Sequence, residues 1–189
     1  RVSYSYKGKD LLEASGRYDG NSKFPSNQRW GFFPSGSVGW RISEENFMKN
    51  ANWLDNLKIR ASVGSAGTGL IGDAYAYHST MSIAQSSLLN NGSVFNYTQA
   101  PSPIPKSLTW EKATTYDLGL DFEAFNGRLN FSADIYRKKT TDMYVVGEEL
   151  PAVFGNSAPK GNYADMRTDG WEASLSWRDS HKVAGKTLS

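Results

Sequence analysis

Residues 116–136 read YDLGLDFEAFNGRLNFSADIY, and the fold follows from them. Tyr116, Leu118, Leu120, Phe122 and Ala124 alternate with Asp117, Asp121 and Glu123. After Asn126-Gly127, Leu129, Phe131, Ala133 and Ile135 alternate with Asn130, Ser132 and Asp134. Side chains of a strand point to opposite faces in turn, so each run has one apolar and one polar face. Asn-Gly between two such runs is the strongest short hairpin signal, because a type I′ turn needs positive φ at both central residues. A turn of that type sets Phe125 opposite Arg128. Counting outward pairs Ala124 with Leu129, Phe122 with Phe131, Leu120 with Ala133 and Leu118 with Ile135, and on the other face Glu123 with Asn130, Asp121 with Ser132 and Asp117 with Tyr136. A slip of one residue would reverse the faces of a whole strand.

The same alternation continues on either side. Val2, Tyr4 and Tyr6 precede a tight turn at 7–10, and Leu12, Ala14, Gly16 and Tyr18 then alternate with Glu13, Ser15 and Arg17. Trp30, Phe32, Val38, Trp40 and Ile42 oppose Arg29, Ser35, Ser37 and Arg41, with Pro34 expected at a bulge or rim because proline cannot donate to a ladder. Ser43 before Glu44 and Glu45 predicts a short helical turn over 44–50. Leu57, Ile59, Ala61 and Val63 alternate with Lys58, Arg60 and Ser62, and Trp171, Ala173, Leu175 and Trp177 with Glu172, Ser174, Ser176 and Arg178. The class is all-β, with antiparallel up-and-down strands, about seven of them and the start of another. Short links at 7–10, 126–127 and 179–185 alternate with long loops at 19–28, 65–107 and 147–169; 44–56 is intermediate but has the parity of the short set. Short turns on one side and long loops on the other is the arrangement of a transmembrane barrel. Trp30, Trp110 and Trp171 at one end of the strands and Trp40 and Trp53 toward the other are expected to form interfacial belts.

Composition narrows the functional classes. The chain of 189 residues has no cysteine and two histidines, His78 and His181, so thiolate metal sites, cysteine nucleophiles and Ser/His catalysis lack parts. No metal, cofactor or catalytic residue is expected. Net charge is +2 with both signs interleaved, which argues against nucleic acid as a partner. Mean hydropathy is −0.54 and no apolar run approaches the roughly 18 residues of a spanning helix. A membrane barrel is compatible with that average, since half of each of its strands is polar. Aromatics at 13%, with six Trp and ten Tyr, suit such a wall. The chain opens inside an alternating pattern and carries no start methionine or leader, so it is expected to be a segment of something longer.

Residues 16–49, GRYDGNSKFPSNQRWGFFPSGSVGWRISEENFMK, resemble the barrel segment of SusC/RagA-type TonB-linked outer-membrane transporters. The resemblance lies in Arg17, Asp19, Gly20 and Phe24, in WGFFPS at 30–35 and in GWRISEE at 39–45, with Asn21 a small departure where Ser is commoner. WLDNLKIRASVG at 53–64, LTWEK at 108–112, DLGLD at 117–121 and DIYRKKTTDM at 134–143 resemble successive family blocks in order. The resemblance implies a barrel of about 22 strands closed by a plug, a place in the outer membrane among its lipids, energy from a TonB complex, and a SusD-type lipoprotein lid that captures oligosaccharides or peptides. Residues 1–189 are then expected to be a partial barrel domain without the plug or the TonB-contact motif.

Other motifs weigh less. Residues 67–72 match G-x-G-x-x-G, but no acidic residue occurs from 74 to 110, and a dinucleotide site needs a following helix and such a residue. Asp117, Asp121, Glu123 and Asp134 share one face, where Arg29, Arg41, Lys58 and Arg60 are expected to balance them in a hydrated wall. Tyr75, Tyr77 and His78 in the longest loop are the candidates for contact with a sugar ring or a peptide; simple loop packing is the competing reading. Glycosylation patterns at 91–93, 96–98 and 130–132 are uninformative, one of them lying inside a strand. The expected function is transport rather than catalysis, with a soluble β-sandwich carbohydrate-binding module as the alternative. A sandwich would bury one face of each strand against a second sheet.

Overall fold

In a computed structural model, the described residues are 1–69, 76–101, 103–105, 108–155, 157–179, 181–183 and 186–188. One seven-stranded antiparallel sheet holds β1 (Val2–Tyr6), β2 (Asp10–Gly20), β3 (Trp30–Arg41), β4 (Leu54–Thr68), β7 (Glu111–Ala124), β8 (Leu129–Val146) and β9 (Lys160–Trp177), in that spatial order. Between β4 and β7 the chain makes a separate hairpin, β5 (Ile83–Asn90) and β6 (Ser93–Thr98). Beyond β9 a second small hairpin pairs β10 (His181–Val183) with β11 (Lys186–Leu188), where a short link was expected.

The central register agrees with the sequence reading pair for pair, from Ala124↔Leu129 through Phe122↔Phe131 and Leu118↔Ile135 to Asp117↔Tyr136. Asn126 and Gly127 have φ of 57° and 75°, as a type I′ turn requires. Phe125 is also left-handed, at 60°. Its N–H donates to Trp53 O at 2.9 Å, and its ring lies 6.3 Å from those of both Trp53 and Trp177, contacts that offset the unfavourable conformation.

The sheet is a single layer. Leu12, Val38, Leu118, Ile135 and Leu175 on its apolar face are all exposed, and among the described residues no second sheet covers them. This excludes the packed core that a β-sandwich would need. Apolar positions form a band that runs diagonally across the register. Val38, Ala61, Leu118, Ile135 and Trp171 stand level with one another. On β9 the band stops at Trp171, followed by Asp169 and Arg167, while on β3 it continues eight positions above Val38 to Trp30. At the short-turn end, Trp177 lies four positions beyond Ala173, the residue level with Trp40. The band thus shifts by about one to two residues per strand, near the roughly 1–1.5 that strands tilted by about 35–45° require.

Several expectations are corrected. Of the two places expected for Pro34, the bulge is ruled out, since the ladder with β2 runs through it unbroken at Gly16↔Pro34, and the rim holds on the other side, just beyond the end of the β3–β4 ladder. Arg41 donates to Lys9 O, so odd positions of β3 bond toward β2 and Pro34 faces β4, where pairing begins only at Ser35. Its missing donor therefore costs nothing. Ile42 is not a wall residue; it opens a 3-10 turn, Ile42–Glu44, two residues before the helical turn expected over 44–50. The stretches 65–107 and 147–169 are not wholly loop. β4 extends to Thr68, β5 and β6 lie between 65 and 107, and β9 begins at Lys160.

Candidate functional site

The polar face of the wall has its charge centre at Arg60. Arg60 lies directly opposite Gly119, and Gly119 opposite Asp134. From β4 the guanidinium reaches three aspartates on two further strands: Nε lies 3.2 Å from Asp121 Oδ2, Nη1 3.6 Å from Asp117 Oδ1, and Nη2 2.7 and 2.8 Å from Asp134 Oδ1 and Oδ2, with the hydrogen bond directed at Oδ2. A Cβ on Gly119 would stand 2.5 Å from Arg60 Cζ and against Asp134 Oδ1, so only glycine leaves room for the planar fork. The DLGLD block thus has a physical reason: alternation turns both aspartates to the polar face, and the glycine between them is the seat of the arginine. Of the four cations expected to balance the carboxylates, Arg60 makes these ion pairs. Arg41 stands opposite Lys58 at the short-turn end, and Arg29 ends the 21–29 connection. About a third of the Arg60 side chain is exposed, so water screens the cluster, and it orders the wall more than it stabilises it.

At the long-loop end a compact apolar cluster forms from Phe24, Phe33, Leu108 and Trp110. The Trp110 ring lies 5.1 Å from Phe24 and 5.5 Å, edge-on, from Phe33, and its indole N–H donates to Arg29 O at 3.2 Å. Trp110 is therefore buried in this cluster and is not a belt residue, a correction to the expected placement. Trp30 and Trp171 do stand exposed at the upper edge of the band, Trp30 stacked on Tyr18 at 5.2 Å, while Trp40, Trp53, Phe125 and Trp177 mark the lower edge. Alternation could not assign Trp110, because it precedes β7.

Of the three loop candidates, Tyr75 lies outside the described residues. Tyr77 packs against the Phe24 cluster, and His78 is exposed with its ring 4.4 Å from that of Tyr77. The residues 70–72 of the glycine motif are also outside the described set. Asn162 was not anticipated. Its amide accepts from Thr109 N at 2.9 Å and donates to Thr109 O at 3.0 Å, tying the LTW segment to β9 as another strand would. The sequence offers no signal for it, since residues 160–166, KGNYADM, keep no apolar period. Asn21 also does more than its reading as a small departure suggests, since its amide donates to Gly69 O at 3.3 Å and holds the 21–29 connection to the end of β4.

The family model described as TonB dependent receptor-like, beta-barrel matches residues 1–188. TonB-dependent receptor P39 of Formosa agariphila is 39% identical over 178 residues, 93% of this chain and 16% of that protein. TonB-dependent receptor SusC of Bacteroides thetaiotaomicron is 39% identical over 150 residues, 76% of this chain and 14% of that protein. Among solved structures, the RagAB peptide transporter superposes with a TM-score of 0.76 at 25% identity, over 96% of this chain and 19% of that one. The chain spans less than a fifth of the length of each of these relatives.

Proposed function

The chain belongs to the TonB-dependent receptor-like β-barrel family, and on that premise we propose that it is part of the wall of an outer-membrane transporter that imports bulky nutrients, oligosaccharides or peptides. The observation that carries this reading is the two-faced wall: an exposed apolar band edged by aromatic side chains on one side, and on the other Arg60, Asp117, Asp121 and Asp134 in contact with water. Residues 1–189 supply barrel strands, with the plug and the TonB-contact motif belonging to other parts of the intact protein. Long loops face outward, where a SusD-type lipoprotein lid closes over the mouth, and of the loop candidates exposed His78, supported by the Tyr77 ring, is the one placed to meet the cargo. A lid is in keeping with the likeness to SusC and RagAB, and peptide is the cargo in the printed description of RagAB. The role proposed is carriage of the cargo unchanged rather than catalysis, in keeping with a receptor family.

The test is uptake of labelled oligopeptides and oligosaccharides by cells expressing the intact protein, with and without TonB. Uptake of one class that disappears without TonB is the expected result. Unchanged uptake in the TonB-deficient strain, with the protein still in the outer membrane, would reject energised transport in favour of passive diffusion.

A further inference from the structure

Directly above the point where the apolar band ends on β8 and β9, the same face turns basic. Ile135 and Trp171 are the last apolar pair, both exposed. Above them Arg137 stands opposite Asp169, and above those Lys139 stands opposite Arg167. Asp169 is gripped from both sides: Arg137 Nε donates to Oδ1 at 2.5 Å and Arg167 Nε to Oδ2 at 2.7 Å. One carboxylate thus aligns two guanidinium groups, each with N–H donors to spare. Three cations against one anion leave this square of four residues with an excess of two positive charges. Lys139 directly opposite Arg167 is a like-charge cross-strand pair, an arrangement that destabilises a sheet unless an anion lies against it.

We propose that this square binds the phosphate of a membrane lipid headgroup in the leaflet at the long-loop end. The proposal rests on the lipid-facing reading of the apolar band given above. Depth fits the assignment. Two residues of a strand tilted by about 40° rise about 5 Å and four about 10 Å, and the headgroup zone on each side of the hydrocarbon is roughly 5–8 Å thick. The lower row, Arg137 and Asp169, therefore stands within the headgroup zone, and Lys139 and Arg167 stand just above it, from where their long side chains reach down to the phosphates, with Trp171 at the interface below. Lys138 supplies the internal control, because it lies on the same strand with its side chain on the opposite face.

The experiment uses the purified full-length protein, and counts bound lipid by native mass spectrometry after addition of monophosphoryl lipid A, its dephosphorylated counterpart, or inorganic phosphate. The triple variant Arg137→Gln/Lys139→Gln/Arg167→Gln is expected to retain at least about tenfold less phosphorylated lipid, since each charge near an anionic surface contributes substantially. Lys138→Gln should retain it like the parent, and the dephosphorylated lipid should bind neither. Should the triple variant fold poorly, Lys139→Glu replaces it: relief of the Lys139–Arg167 repulsion raises stability in lipid-free detergent while phosphorylated-lipid binding falls. Equal retention by parent and variant, equal binding of the dephosphorylated lipid, or displacement by inorganic phosphate would each overturn the proposal, the last in favour of a free-anion site. Because binding is read on purified protein, a failure of TonB-dependent uptake counts against the transport reading alone, and a failure of lipid binding with uptake intact counts against this site alone.

Discussion

Two hairpins in this molecule turn on the same dipeptide and differ in almost everything else. β7 and β8 meet at Asn126-Gly127, β5 and β6 at Asn91-Gly92, and in both turns the central residues have positive φ. The first runs without a register shift from Ala124↔Leu129 to Lys112↔Thr141. The second slips between Gln85 and Leu89, and its Leu88, Leu89, Val94, Phe95 and Tyr97 are all exposed. Turn chemistry is therefore not what specifies a long register. β7 and β8 have neighbours on both flanks, an apolar face and a charged one, so a one-residue slip would carry Asp134 and Asn130 to the apolar side. Among the described residues β5 and β6 pair with no further strand, and they have no consistent face, so a slip costs little.

The largest predicted difference comes from a charge on the apolar face. In the intact protein refolded into vesicles, Leu120→Arg should destabilise the barrel by about 2–4 kcal/mol, the cost of Arg near the bilayer midplane. Val94→Arg in β6 should change the urea midpoint by less than about 0.5 kcal/mol equivalent, as a surface substitution does. Equal effects would erase the distinction between the hairpins.

Next comes the polar face. Gly119→Val places side-chain atoms where Arg60 and Asp134 sit, and should cost about 1–3 kcal/mol by overpacking. Shortening the arginine by Arg60→Ala in the same background should recover part of that loss, as measured by the same urea titration. Absence of any rescue would mean that the glycine is needed for another reason.

Smaller still is the effect at the turns. Gly127→Ala and Gly92→Ala impose the same left-handed strain, about 1–2 kcal/mol each. Only the first should lower global stability, while the second should merely speed amide exchange within β5 and β6. A matching global loss from Gly92→Ala would tie that hairpin into the cooperative unit.

The smallest effect is at the short-turn end, where Glu45 accepts hydrogen bonds from Lys9 Nζ and, more weakly, from Trp40 Nε1, which hold its carboxyl below the ordinary value of 4.5. A depressed folded-state pKa contributes stability that is present above pH 4.5 and is lost as pH falls through the lowered value. Glu45→Gln should remove that acid-side dependence and slightly lower stability near neutrality, where the charged carboxylate contributes, with no difference from the parent in strong acid; an unaltered acid profile in the variant would discount the link.

The wall was legible where environment enforces alternation. Residues 116–136 encode their turn, faces and register together. Legibility stops where neither face is apolar: β8 beyond Ile135 carries Arg137, Lys138 and Lys139, and the first half of β9 is similarly polar, so no period marks these strands although they pair as regularly as the rest up to Thr140↔Met166. The Asn91-Gly92 hairpin was missed: its dipeptide is the same turn signal, but its flanks do not alternate, so 65–107 read as loop. The Arg60 seat was legible only in halves. DLGLD and the strand around Arg60 each read as two-faced, but their pairing spans the excursion between β4 and β7, and sequence spacing does not reveal a partner across such a distance. Trp110 misled because an aromatic near a strand end serves equally as belt or as cluster, and burial decides which.

The central claim is that the wall separates lipid from a hydrated lumen, and spin-label accessibility tests it most directly. This chain lacks cysteine, so single cysteines at successive positions of β7 and β8, in the intact protein reconstituted in vesicles and otherwise cysteine-free, carry a label whose collisions with oxygen and with a water-soluble relaxant are compared. The account predicts strict alternation: labels at Leu118, Leu120, Phe131 and Ala133 respond to oxygen, and labels at Asp117, Asp121, Ser132 and Asp134 to the aqueous relaxant. Aqueous exposure on both faces, or a period other than two, would contradict it.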